Sequence, residues 1–294
     1  MSTPAVRYAV ITPARDEAHN LSRLADSLSA QALPPETWLV IENGSGDATL
    51  QVAEELAATR PWMRVLSVPG TSSPVRGAPI VRSLHTGFTT LDPSPDVVVN
   101  VDADISVDPD YFERLVGRFA DDPLLGIASG TCLEQAGGRW RERFVTGTTV
   151  WGASRAYRWA CLEDVLPLEE RMGWDGLDEF KANALGWRTR TFRDLPFRHH
   201  RPEGDRDGSG RRARTAQGQA AYYAGYRPWY LVLRSLFQAR RDPSALVLIW
   251  GYARAAIARE PRCPDERVIR YVRSQQHPRH LLRRAREALG SRSA

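Results

Sequence analysis

The segment VVVNVDAD, residues 97–104, runs an apolar stretch straight into two carboxylates, Asp102 and Asp104. Carboxylates at the end of a buried run must meet water or find a cation. Two of them two residues apart can share a hard divalent ion, Mg2+ or Mn2+, that also bridges phosphate oxygens. The short pattern is weak by itself, because Asp108/Asp110 and Asp205/Asp207 repeat it. Asp108, ahead of Pro109 and an apolar-periodic stretch, reads as a helix N-cap, and Asp205/Asp207 fall among glycines and arginines. Only the first pair closes an apolar run.

Two further groups bear chemistry. GWDGLDEFKANALGW carries Asp175, Asp178 and Glu179 at the start of a helical pattern, where a carboxylate can act as a general base or simply cap the helix. DLPFRHH ends on His199 and His200, and a neutral imidazole can complete a Mn2+ shell beside carboxylates.

Something must hold these groups together, and the periodicity says what. Apolar runs at 6–11, 38–42, 63–68, 97–101 and 125–131 read as strands. Between them lie helical stripes: Leu21, Leu24, Ala25 and Leu28; Leu50, Ala53, Leu56 and Ala57, opened by Asp47; Ile80, Leu84 and Phe88; and Phe112, Leu115, Val116 and Phe119. The alternation with short connections predicts an α/β fold, a doubly wound, mainly parallel sheet with helices on both faces. Ligands in open parallel sheets sit at the carboxyl ends of strands, which is where Asp102 and Asp104 fall.

With 294 residues, 42% of them hydrophobic, the chain can bury a large core without staples. Cys132, Cys161 and Cys263 have neither metal-ligand nor redox spacing, which fits a reducing compartment. The N-terminus lacks the pattern of a signal peptide, and no window reaches the roughly 18 unbroken apolar residues of a membrane span. The expected location is therefore cytoplasmic.

The net charge of +5 hides a polarity. Residues 1–187 carry 16 basic against 26 acidic side chains, and residues 188–294 carry 24 against 9. An acidic body thus adjoins a basic C-terminal third that faces either solvent or something anionic. That third contains no nucleic-acid-binding motif, so no nucleic acid is expected as partner.

Taken in order, TPARDE, VIENGSGD, VDAD and GWDGLDEFKANALGW resemble the motifs of family 2 glycosyltransferases, nucleotide-sugar enzymes of the GT-A fold, over roughly residues 6–200. The resemblance implies a metal-dependent, inverting enzyme that moves a hexose from a UDP- or GDP-linked sugar to an acceptor hydroxyl. Thr12, Pro13, Arg15 and Glu17 would line the nucleotide-sugar pocket, with Glu42 and Asn43 where the family has paired aspartates. Arg76 would approach the diphosphate. Asp102 and Asp104, with His199 favoured slightly over His200, would hold nucleotide and divalent metal. Asp178 would be the general base, with Trp174 and Asp175 shaping the acceptor site, and Trp151, Arg155 and Tyr157 as further acceptor contacts.

The implied organisation is a catalytic domain over 1–200, divided into a nucleotide-sugar half (1–105) and an acceptor half (106–200). A mobile loop over 201–217 and a basic, amphipathic helical extension over 218–294 follow. The Q-x-x-R-W motif of the processive members is absent, which implies one sugar added per acceptor. Tyr226, Trp229, Tyr230 and Phe237, edged by Arg227, Arg234, Arg240 and Arg241, suit an interfacial hairpin at the inner face of an anionic membrane and hence a lipid-linked or saccharide acceptor. A retaining GT-A enzyme and a non-catalytic nucleotide-sugar-binding or membrane-surface scaffold are the alternatives.

Overall fold

In the computed structural model of the chain, residues 6–70, 73, 75, 77–143, 149–201, 210–240 and 242–280 are described. The first half alternates as expected: β1 (Tyr8–Ala14), α1 (Ala18–Ser29), β2 (Thr37–Asn43), α2 (Thr49–Ala58), β3 (Met63–Val68), α3 (Ala78–Thr90) and β4 (Val97–Val101). The second half contains β5 (Ile105–Val107), α4 (Tyr111–Asp121), β6 (Leu125–Ala136), β7 (Arg139–Glu142), β8 (Ser154–Arg158), α5 (Trp159–Val165), α6 (Trp174–Ala184) and β9 (Arg188–His199). Helices α7 (Gly210–Tyr223), α8 (Pro228–Ala239), α9 (Val247–Ile257) and α10 (Glu266–Gln275) follow.

The strands make one sheet in the order β3-β2-β1-β4-β8-β6-β9-β5, with β7 paired to β6. Strands β1 to β4 are mutually parallel, and β6 and β9 are parallel neighbours. The sequence pattern suggests that β6 simply continues the parallel set. Instead β8 lies between β4 and β6, antiparallel to both, so the fold is mixed at the point where the acidic strand end emerges.

The period-two alternation explains the two-sided core. Val97, Val99 and Val101 join Val10, Leu21, Leu24, Trp38 and Phe112 on one face. Val98 joins Ile11, Leu39, Ile41, Val81, Leu84 and Tyr157 on the other. All five residues of β4 are buried, and each fully buried Val or Leu contributes roughly 1.5–3 kcal/mol. The strand that ends in Asp102 is therefore a firmly fixed support.

Two local expectations are corrected. Asp108 does not cap α4: the helix starts at Tyr111, and the Asp108 carboxylate lies 2.7 Å from Arg198 Nη1. The loop expected over 201–217 is helical from Gly210, while residues 202–209 lie outside the described residues. The cause is backbone contact between α7 and α9. A Cβ on Gly218 would come within 2.2 Å of the Leu248 carbonyl oxygen, and one on Gly251 within 2.1 Å of the Thr215 carbonyl oxygen. Glycines on both helices permit an approach that no side chain would allow, and the polar composition conceals it.

Among the described residues, no helix is long and apolar enough to cross a membrane. Helix α8 is unusual in the opposite sense: it buries Leu231 and Ser235 and exposes Trp229, Val232, Leu233, Leu236 and Phe237.

Candidate active site

The first strand and its neighbour end in a tied pair of loops. Asp16 Oδ1 accepts from the Gly46 amide at 2.7 Å, and Asp47 Oδ2 accepts from the Ala18 amide at 3.3 Å. Asp47 also accepts from the Thr49 amide at 2.9 Å, satisfying a donor at the start of α2. Within this frame Glu42 is buried, with its carboxylate accepting from the Ser45 amide and from Ser67 Oγ. Asn43, also buried, donates to Ser83 Oγ at 3.2 Å.

The other residues expected around the nucleoside differ in access. Thr12 is fully buried, and its hydroxyl accepts from Trp38 Nε1 at 3.0 Å, so it serves the sheet. Pro13 is half-buried and Arg15 exposed beside Asp16. Glu17 is buried, accepting from Asn20 Nδ2 at 2.6 Å and from Arg201 at 3.0 and 3.2 Å. Arg76 lies outside the described residues.

The strand-end carboxylates are brought together with one histidine. The Asp102 amide donates to the Ala153 carbonyl at 2.9 Å, continuing the β4–β8 ladder past the strand. The short strand β5 then pairs with β9, setting Ile105 opposite His199, and the His200 amide donates to the Asp104 carbonyl at 2.9 Å. His199 Nε2 lies 3.1 Å from Asp104 Oδ1, and one ligand atom from each of Asp102, Asp104 and His199 falls within 4.8 Å of the others. Successive side chains of a strand face opposite ways, so His200 points elsewhere. Its Nε2 lies 2.8 Å from Ser106 Oγ, and its ring meets the edge of Trp140.

The donor set fits a hard divalent ion: two carboxylates and one imidazole, partly shielded from solvent. Its electrostatics point the same way. Burial works against a charge on His199, yet hydrogen bonds to Asp104 and Cys132 and the fields of Asp104 and Asp102 prevail, and its pKa is pushed up to about 10. The cluster thus attracts positive charge.

Arg201 was not foreseen. Besides binding Glu17, its Nη1 lies 3.6 Å from Asp104 Oδ2, so one guanidinium joins the end of the first strand to the carboxylate pair. Only its place directly after the two histidines marks it in the sequence.

The second acidic group lies on α6, entered through Gly173 in the left-handed conformation at φ 81°. Asp178 and Arg155 are 3% and 0% exposed. Asp178 Oδ1 accepts from Arg155 Nη2 at 2.6 Å, and Oδ2 accepts from Arg155 Nε at 3.2 Å and from the Tyr157 hydroxyl. Glu179 Oε1 accepts from Arg155 Nη1 at 3.2 Å and from the Val150 amide at 2.8 Å. Burial raises both carboxyl groups against the opposing Arg155 charge, Asp178 to about 6 and Glu179 to about 8. One guanidinium facing two carboxylates leaves the cluster neutral when Glu179 keeps its proton. Arg155 and Tyr157 are sealed inside, which removes them from the acceptor contacts, and Trp174 packs in the core.

Asp175 differs. It is half-buried on the first turn of α6, and its Oδ2 would lie 3.6 Å from a Cβ on Gly152. Gly152 adjoins Ala153, which receives the Asp102 amide, so Asp175 borders the same end of the sheet as the strand-end carboxylates.

The fold is shared with several solved structures. A mannosyltransferase of Pyrobaculum calidifontis, PcManGT, in complex with GDP-Man and Mn2+, is similar in structure with a TM-score of 0.59 at 17% identity, over 97% of this chain and 85% of that one. TarS 1–349 of S. aureus, in complex with UDP-GlcNAc, gives a TM-score of 0.55 at 19% identity over 73% of this chain and 65% of that one. GalNAc-T7 with UDP, GalNAc and Mn2+ gives 0.55 at 13% identity, with the chain spanning 45% of its length. At such identities the likeness is one of fold. Among curated proteins no sequence match is found. Residues 9–151 match the family described as glycosyl transferase family 2. That match covers β1 to β7 and the carboxylates Asp102 and Asp104, so over residues 9–151 the chain is similar to the glycosyltransferases of family 2.

Proposed function

We propose that the chain transfers a hexose from a nucleoside-diphosphate sugar to an acceptor hydroxyl with inversion, one sugar per acceptor. The observation that carries this reading is the convergence of Asp102, Asp104 and His199 at the carboxyl end of β4. A divalent ion, Mg2+ or Mn2+, bound there would stabilise the charge on the departing diphosphate. Asp102, Glu42, Asn43 and Glu17 would face the nucleotide, with Arg201 setting the relative position of Glu17 and Asp104. The solved complexes of PcManGT with GDP-Man and of TarS with UDP-GlcNAc make guanine and uracil the bases to try first.

The proton of the attacking hydroxyl goes to Asp175 in this reading, which amends the expectation for Asp178. Both oxygens of Asp178 are occupied by Arg155 and Tyr157 behind the surface. Asp175 is reachable and borders the metal-binding end of the sheet. Asp178 is then a positioning residue: it fixes Arg155, whose Nη2 donates to the Asp175 carbonyl at 2.6 Å and whose Nη1 donates to the Val150 carbonyl at 2.9 Å.

The acceptor is proposed to be lipid-linked and the contact with an anionic bilayer peripheral. Support comes from α8, where the hydroxyl of Ser235 and the amide oxygen of Gln238 are buried without a partner while five large apolar side chains face outward. Exposed Arg227, Arg234 and Arg240 lie on or beside the same helix, so the apolar surface is matched with positive charge.

Isothermal titration of UDP and GDP, with and without Mn2+, tests the donor site. The expected result is metal-dependent binding of one nucleotide, abolished in Asp104→Ala. Failure of folded wild type to bind either nucleotide would overturn the reading.

A further inference from the structure

His199 has a second set of neighbours. Strands β6 and β9 run parallel with Cys132 opposite Phe197 and Glu134 opposite His199. Cys132 and Glu134 are two apart on one strand and share a face, and His199 falls on that face from the next strand. One ligand atom from each of Cys132, Glu134 and His199 lies within 4.8 Å of the others. His199 Nδ1 is 3.7 Å from Glu134 Oε1, whereas Nε2 is the atom directed at Asp104. The two ring nitrogens therefore serve two different clusters.

The chemistry of the clusters differs. Asp102 and Asp104 offer hard oxygen; Cys132 offers a thiol, free of any disulfide. Sulfur, imidazole and one carboxylate suit Zn2+, which takes three protein ligands and leaves a fourth position open. We propose that Zn2+ binds at Cys132, Glu134 and His199 and that, by taking the imidazole, it competes with the hard cation of Asp102 and Asp104. A neutral imidazole has one lone pair, so His199 coordinates through Nδ1 or through Nε2, not both. On binding, the Cys132 thiol and His199 Nδ1 each release a proton to solvent, and the ring keeps a single proton, on Nε2, facing Asp104. Arg143 Nη1, 2.9 Å from Glu134 Oε1 and on a side chain 40% exposed, swings outward as the ion takes its place.

The competition rests on the reading of Asp102, Asp104 and His199 as the donor-metal site; the existence of the thiolate site does not. Co2+ titration of the full, reduced, metal-free chain separates them. Wild type is expected to develop a thiolate-to-cobalt charge-transfer band, saturating at one equivalent and bleached by Zn2+. The band is absent in Cys132→Ser and kept in Cys161→Ser. Glu134→Gln, which retains the thiol, weakens Co2+ binding roughly tenfold or more. No band in wild type, or an unchanged band in Cys132→Ser, overturns the site. With the site established, Zn2+ is expected to weaken Mn2+-dependent nucleotide binding in wild type and not in Cys132→Ser; equal weakening in both, or none in wild type, overturns the competition.

Discussion

Arg155 Nη2 donates to Asp178 Oδ1 at 2.6 Å with both side chains sealed from solvent. The same nitrogen donates to the Asp175 carbonyl at the start of the same helix. One buried cation therefore ties down the carboxylate that the sequence marked most strongly and orients the one that remains reachable.

That division of roles predicts opposite phenotypes. Asp175→Asn should lower kcat by about 10²–10⁴-fold, the usual range for a lost general base, while nucleotide titration shows donor affinity unchanged. Full transfer activity in Asp175→Asn would return the base role to another group.

Removal of the cation should strike stability. Arg155→Met leaves Asp178 and Glu179 buried without a counter-charge, and breaking a buried pair in this way costs about 3–5 kcal/mol. Urea unfolding followed by circular dichroism measures it; a loss below about 1 kcal/mol would mean the cluster is more hydrated than its burial indicates.

The same cluster sets a pH dependence. Glu179, pushed up to about 8 from an ordinary value of 4.5, keeps in the folded chain a proton that the unfolded chain releases. Between those two values the folded state binds more protons, so stability falls as pH rises, by at most about 1.4 kcal/mol per pH unit, and levels off above the folded value. Asp178, raised to about 6, adds to the slope at its lower end. Urea midpoints below about pH 6.5, where the raised His199 does not yet contribute, should show the decline in wild type and a flatter profile in Glu179→Gln.

Helix α8 offers a test away from the chemistry. Replacing Leu236 and Phe237 by Glu should abolish co-sedimentation with vesicles of anionic phospholipid. Nucleotide binding in the same double variant should match wild type. Wild type should bind neutral vesicles weakly, and added salt should weaken its binding to anionic ones. Retained binding in the double variant would exclude this face.

What the sequence by itself determined is the local pattern. The strands up to β4, the stripes on α1 and α4 and the strand-end position of Asp102 and Asp104 follow from apolar spacing, which is a property of neighbouring residues. Asp175, Asp178 and Glu179 were visible as a group for the same reason, but their separate roles were not. Which carboxylate is buried depends on Arg155, more than 20 residues away in sequence and brought there by the insertion of β8 beside β4. The choice of His199 over His200 required the β5–β9 register, and the proximity of Cys132 required the β6–β9 register. Arg201 at Glu17 spans nearly the whole catalytic region. These contacts are non-local, and their energies come from desolvation and pairing of charges that only the closed sheet brings within reach. Tertiary structure decided them because a one-residue change of register would turn Arg155, Cys132 and His199, all on strands, to the other face.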